Sequence, residues 1–355
     1  MTKAVILINS DTSYLEQKLS VLNYTTYAID QFRHKNIHKL KNVEFIDKFL
    51  DDVLSKHDNA YLVYGSGLEG NNNIYELLTE KLEVKGNKLN ILSDFGDLRK
   101  LKSVFHAAGL KTPVDFIDNK LSKNKFIWKP FESSGGYGIS YEQKNSLNYY
   151  KQKYLPGDTF SISFVCDDYD FKFLGFNKLL LLKDNLENPF IHAGAIMTQL
   201  TNNSKNIIQS FVKLAKKLSL KGYNNIDFKL IENNVYILDI NPRITSTFKI
   251  YNDIYDNNLL QIHMNHNNIS VNDLGSSPAN IYGFVHLFAK DNFLFEQHIY
   301  DDSFTCIPQN GEYIKKGDPI FSVYLHALTN IDLVSKLEEK ISNLRNYYNF
   351  YDIVI

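Results

Sequence analysis

Two apolar-alternating runs, residues 226–231 and 235–241, flank Glu232-Asn233-Asn234 and together spell a β-hairpin. This pattern constrains the chain most, because it decides which face of a sheet a set of acids must occupy. With a three-residue loop, Ile231 faces Val235, and Asp227 lies directly opposite Asp239 on one face of the pair. Like charges so placed destabilise a sheet unless something compensates them. Along the second run Val235, Ile237, Asp239, Asn241 and Arg243 share that face, which changes from apolar to acid, amide and guanidinium. Two carboxylates and an amide oxygen make a hard, all-oxygen site suited to Mg²⁺ or Mn²⁺. The alternative is an exposed hairpin with solvated acids, and a two-residue loop would take Asp227 and Asp239 out of register.

At 355 residues the chain can hold two or three domains. A formal net charge of −1 gives no global field to attract nucleic acid or an anionic membrane, so neither is expected as a partner. Two cysteines, Cys166 and Cys306, leave no case for a disulfide scaffold or a thiolate metal centre. The chain enters directly into Ala4-Val-Ile-Leu-Ile8, too short for a signal peptide, and no run nears the roughly 18 apolar residues of a membrane span. A soluble, cytoplasmic protein is expected.

Ala4–Ile8 and Ala60–Tyr64 read as buried parallel strands, with helical spacing at 13–22, at 46–56 and from Ile74 to Leu82. Such alternation indicates an open α/β sheet, which binds ligands beyond the carboxyl ends of its strands. The loop Gly65-Ser66-Gly67-Leu68-Glu69-Gly70 lies in that place, as an anion cradle or as a plain turn; Gly65, Ser66 and Glu69 are candidate substrate contacts. Leu89–Leu92 reads as a short strand and 98–108 as a helix, closed by Gly109 and Thr112-Pro113. A strand at 125–130 carries Lys129 and runs into Phe131-Glu132-Ser133-Ser134-Gly135-Gly136-Tyr137-Gly138. Such a loop can fold over a triphosphate and offer N–H groups and hydroxyls without side-chain clash. It lacks the Gly-Lys-Ser/Thr of a Walker loop. Strands are expected at 159–165, 171–182 and 190–196, and a helix at 204–218 that packs on the sheet carrying the hairpin. His192 has no predicted Asp or Cys partner and is read as structural, and the His263/His266 pair as surface. After 275 a strand-like run at 280–289, Gly311–Ala327 and helical spacing at 331–347 make a small α+β appendage.

Asp239-Ile-Asn-Pro-Arg after Ile226-Asp227-Phe228, about a hundred residues beyond the glycine loop, resembles the ATP-grasp superfamily. The likeness is to its biotin-carboxylase-like branch of carboligases and carboxylate–amine ligases, with Asp for Glu at 239. Some of that branch occur with tetrahydromethanopterin- and methanofuran-linked one-carbon metabolism. The resemblance implies four segments: an N-terminal open α/β domain (1–95), a small nucleotide-flap subdomain (96–155), a large antiparallel-sheet subdomain (156–275) and an α+β appendage (276–355). It implies Asp227, Asp239 and Asn241 as ligands of Mg²⁺ or Mn²⁺, and Arg243 as the group holding substrate and transferring phosphate. It further implies that Lys129 with Ser133, Ser134, Gly135, Gly136 and Gly138 binds the phosphates of ATP. Gln152, Lys153, Leu155 and Asp158 would meet the rest of the nucleotide. Ser133 stands where the family usually has Gly, Leu98 where it has Lys, and Gln152 where it often has Glu. The implied reaction joins a small-molecule carboxylate to an amine through an acylphosphate, releasing ADP and phosphate. The alternatives are carboxylation through carboxyphosphate from bicarbonate, or ATP binding without turnover. A homodimer is the default assembly.

Overall fold

In the computed structural model β1 (Lys3–Ile8) lies at the heart of the first sheet, and its residues Ala4 to Ile8 are each 0% exposed. The structure describes residues 3–116, 125–183, 185, 187–200, 203–265, 270–275, 279–298 and 301–355. After β1 come α1 (Ser13–Val21), β2 (Tyr24–Ile29), α2 (Val43–Leu54), β3 (Ala60–Tyr64), α3 (Tyr75–Lys81) and β4 (Glu83–Val84). The four strands pair in the order β2-β1-β3-β4, all parallel, as alternating strands and helices require. Side chains of β1 alternate: Val5 and Leu7 pack with Leu15 and Leu19 of α1, while Ala4, Ile6 and Ile8 pack with Ile46 and Leu50 of α2. The loops after β1 and β3 therefore emerge side by side at the carboxyl edge, where Ser66 Oγ donates to Ser10 Oγ at 2.8 Å.

Leu89–Leu92 is not a strand. It leads into α4 (Asn90–Phe95), with Leu89 buried, and β4 already occupies the sheet edge. A four-residue stretch with three apolar residues fits either element, and only the completed sheet decides. α5 (Lys102–Ala107), entered through a 3₁₀ turn at Leu98–Leu101, ends as expected. Leu110 N reaches back to Phe105 O at 2.9 Å across Gly109, whose φ is +81°.

Antiparallel β5 (Phe126–Pro130) and β6 (Tyr149–Lys153) form a small sheet with the glycine loop between them. Then follow β7 (Phe160–Cys166), β8 (Phe171–Leu182), β9 (His192–Thr198), α6 (Ser204–Lys217), β10 (Gly222–Ile231), β11 (Asn234–Asn241), α7 (Phe248–Ile254) and α8 (Asn258–His263). The remainder is β12 (Ile281–Phe288), β13 (Phe293–Leu294), β14 (Phe304–Thr305), β15 (Tyr313–Ile314), β16 (Pro319–Ala327), α9 (Asn330–Leu344) and β17 (Ile353–Val354). The large sheet runs β11-β10-β7-β8-β9-β12-β16-β14, with β17 on β8. The segment after 275 thus extends the main sheet through β9–β12 pairing. α6 buries Ile207, Phe211 and Leu214 against Ile226, Phe228 and Ile237, as its apolar stripe predicts. A shared core joins the first sheet to the second: Val5, Leu7 and Leu15 sit in one cluster with Tyr223, Phe248 and Tyr251.

Candidate active site

The acid hairpin forms, but by another route than the sequence suggests. Its loop has two residues, Glu232 and Asn233, with φ of 49° and 66°, as a type I′ turn requires. Continued unbroken, that register would set Asp227 against Leu238. Instead it shifts between Phe228 and Asp227, so that Phe228 pairs with Ile237 while Asp227 pairs with Asp239. Leu238 is the extra residue of a β-bulge. The bulge also re-sorts the faces of β11. Val235, Ile237 and Ile240 pack in the core with α6, and Asp239 and Asn241 line a cleft on the other side with Leu238. Val235 and Ile237 therefore do not share the face of Asp239, because the inserted residue reverses the alternation between them.

Lys129 on β5 explains how the bulge and the paired acids are tolerated. Its Nζ donates to Leu238 O at 2.7 Å and to Asp239 Oδ1 at 3.0 Å, so one ammonium caps the bulge carbonyl and offsets the acid. Burial works against that ammonium, yet Asp239 holds it charged above the ordinary lysine range. Burial, and then the facing Asp239, push the Asp227 carboxyl up to about 7, while Lys129 and Arg243 act in the opposite direction. The Arg243 side chain is only 6% exposed; Nε donates to Glu69 Oε1 at 2.6 Å, Nη2 to Asn241 Oδ1 at 2.9 Å and Nη1 to Ile244 O at 3.3 Å.

The cleft these groups line has a volume of about 1660 Å³ and reaches from the glycine loop to the carboxyl edge of the first sheet. The loop lies over one end. His192 N donates to Gly135 O at 2.9 Å, and Gly138 N donates to Asn188 Oδ1 at 3.3 Å. Gly136, at φ +82°, passes so near Phe190 that a Cβ would stand 1.8 Å from its carbonyl oxygen. Beneath the acids runs a buried polar layer, in which the Asn225 amide donates to Ser161, Ser163 and Thr247 hydroxyls at 3.0–3.3 Å.

Residues 95–247 match the ATP-grasp domain family. The chain carries an ATP-grasp domain. An uncharacterized protein of Methanocaldococcus jannaschii is 28% identical to it over 330 residues, 84% of this chain and 77% of that one. The fold is that of the biotin carboxylase domain of 2-oxoglutarate carboxylase from Hydrogenobacter thermophilus, solved with MgADP and bicarbonate. That structure has a TM-score of 0.74 and 15% identity over 99% of this chain and 92% of that one. An L-amino acid ligase from Bacillus licheniformis gives a TM-score of 0.68 at 12% identity, covering 98% of each chain.

Within this ATP-grasp fold the expected residues separate into two groups. Lys129, Asp227, Asp239, Asn241 and Arg243 meet in the cleft, together with Ser133, Ser134, Gly135 and Gly136 of the loop. Gln152, Leu155 and Ser66 line it as well. Lys153 points elsewhere: its Nζ donates to Phe116 O and lies 5.6 Å from the Phe116 ring centroid. Asp158 is exposed, with Lys178 at 3.8 Å, and Gly65 is walled off by Asn9. Glu69 faces Arg243 and its own loop.

Other cleft residues escaped the sequence. Asn225 could have been found, two positions before Asp227 on the same face of β10. Lys229, two positions after it, is 8% exposed, and burial lowers its ammonium to about 8. His192 and His286 line the wall beside each other with ring centroids 6.1 Å apart, a neighbourhood made only by β9–β12 pairing. Among the described residues the buried His192 Nε2 has no hydrogen-bond partner. His263 is no surface residue: it is 3% exposed, and its Nδ1 accepts from Tyr223 N at 3.1 Å. Its expected partner His266 lies outside the described residues.

Proposed function

We propose that this protein is an ATP-dependent carboxylate–amine ligase that works through an acylphosphate. The observation that carries this reading is a cleft of about 1660 Å³ with the acid pair, Lys129 and Arg243 converging at one wall. Ligand pockets for one small molecule commonly run about 300–1,000 Å³, so a nucleotide and two organic substrates can be held together here.

The donor set fits a hard divalent cation. Asp227 and Asp239 face one another across the hairpin, one Asp239 oxygen shared with Lys129, and Asn241 adds an amide oxygen that also accepts from Arg243. Mg²⁺ or Mn²⁺ held by these residues would supply positive charge against the phosphates. The chain's own groups supply the rest. Ser133 to Gly136 offer hydroxyls and backbone N–H groups to the phosphates, and Lys129 keeps its charge where the leaving ADP gathers negative charge. A substrate carboxylate oxygen attacks the γ-phosphorus and the bond to ADP breaks, giving an acylphosphate. An amine then attacks the acyl carbon, the carbon–oxygen bond to phosphate breaks, and phosphate leaves with that oxygen. Arg243 has five N–H donors, of which three are taken within the protein, leaving one on each terminal nitrogen. That pair suits one carboxylate or phosphoryl group. The closed loop keeps water from the acylphosphate.

The test is Mg²⁺-dependent release of ADP and phosphate across a panel of carboxylates, each with and without amines and bicarbonate. Release that requires a carboxylate and an amine together supports the ligase. Dependence on bicarbonate would move the assignment to carboxylation, and MgATP binding without release under any condition would leave a binding protein.

A further inference from the structure

Arg243 is gripped from the first sheet as well as from its own strand. Pro242 O accepts from Asn87 Nδ2 at 3.0 Å and from Tyr64 OH at 3.4 Å, and Ile244 N donates to Tyr64 O at 3.4 Å. Tyr64 is 1% exposed and Asn87 3%. The Asn87 amide also bonds Lys221 and Asn224 at the start of β10, so both ends of the acid hairpin's approach are fixed by one residue. The backbone on either side of Arg243 is thus held without Glu69. What Glu69 adds is orientation of the guanidinium. One of its oxygens accepts Arg243 Nε at 2.6 Å, while the other accepts Gly67 N at 2.7 Å, so the carboxylate cannot swing freely within its loop.

We propose that Glu69 is a positioning residue for Arg243: by taking Nε against the first sheet, it turns the remaining N–H of each terminal nitrogen towards the reacting phosphoryl or carboxylate group. This rests on the reading of the cleft as an ATP-dependent ligase site. It recasts the glycine-rich loop after β3, which serves the chemistry through the arginine and not by touching substrate through Glu69. A contact that only fastened two lobes together would be redundant beside Tyr64 and Asn87. An oxygen acceptor on Nε, by contrast, sets the rotation of the whole fork.

The experiment compares Glu69→Ala with Glu69→Gln, whose amide oxygen can still accept from Nε. Calorimetry of MgADP binding, then of inorganic phosphate binding to the MgADP complex, reads the positioning without turnover, and ADP release with an active carboxylate–amine pair reads it with turnover. Losing one hydrogen bond to a charged group corresponds to about tenfold or more. Glu69→Ala should weaken phosphate binding and lower kcat by about that factor, with MgADP affinity within about twofold of the parent. Glu69→Gln should restore part of both, because its NH2 then meets the Gly67 N–H where Glu69 offers an acceptor. The proposal fails if phosphate binding is unchanged in Glu69→Ala, if phosphate and MgADP affinities fall together, if Glu69→Gln is no better than Glu69→Ala, or if the parent takes up no phosphate beside MgADP. A parent that binds phosphate in this way but turns over no carboxylate–amine pair would overturn the ligase reading alone.

Discussion

Asp239 stands at the centre of the site because three separate demands meet on it. It faces Asp227 across the hairpin, it holds Lys129 at 3.0 Å, and its position depends on the bulge one residue earlier. Asp239→Asn keeps the shape and removes the charge, so it should abolish ADP formation, leave a folded protein and free the Lys129 ammonium from its counter-ion. Arg243→Ala should likewise stop ADP formation, at a greater cost in stability because Glu69 then keeps a largely buried, unpaired carboxylate. Steady-state ADP release beside circular dichroism checks both, and near-normal turnover in either variant would remove that residue from the site. At this scale the sequence reads well wherever side-chain chemistry alone is informative: two acids, an amide, a guanidinium and a lysine in the right order. It reads poorly where the partner is distant. Nothing local ties Glu69 to Arg243, or turns Lys153 to Phe116 and away from the cleft.

Among elements, one-sided patterns were legible and compensated ones were not. β8 spans Phe171–Leu182, the limits expected of it, and α6 packs by the stripe its spacing describes. β2 (Tyr24–Ile29) carries no clear strand signature, because Thr25 and Thr26 interrupt its apolar pattern. The bulge at Leu238 could not be read, since the ammonium that caps its carbonyl comes from residue 129. Its consequence is testable against the turn that precedes it. Asn233 has φ 66°, so Asn233→Gly should leave ADP release unchanged and hold or raise stability by roughly 0.5 kcal/mol. Deleting Leu238 removes the bulge and the carbonyl that Lys129 caps but leaves Asp239 opposite Asp227 on the cleft face, so metal-dependent nucleotide binding should weaken without being lost. Equal nucleotide affinity in the deletion and in the parent, by calorimetry, would contradict the role given to the bulge.

For the whole molecule, burial of histidines sets an acid limit. Burial holds His192 and His263 down to about 4 and His286 down to about 3, all below the ordinary 6.5. Between those values and 6.5 the unfolded chain binds more protons at these positions, so the stability they contribute is lost as pH falls below 6.5. Each is worth at most about 1.4 kcal/mol per pH unit. Asp227, raised to about 7, acts in the opposite sense over much of that range, leaving a net of two groups from three histidines less one acid. Urea midpoints without added metal should therefore fall from pH 6.5 to 4.5, and a flat or rising midpoint would contradict the buried neutral histidines. No helix among the described residues is long and apolar enough to cross a membrane. The central claim, that a carboxylate takes the γ-phosphoryl group before an amine attacks, is tested most directly by oxygen transfer. A carboxylate substrate labelled with ¹⁸O at both oxygens is turned over with MgATP and the amine, and the released phosphate is examined by mass spectrometry. One ¹⁸O in each phosphate, with the other retained in the amide, is the predicted result; unlabelled phosphate would contradict the acylphosphate.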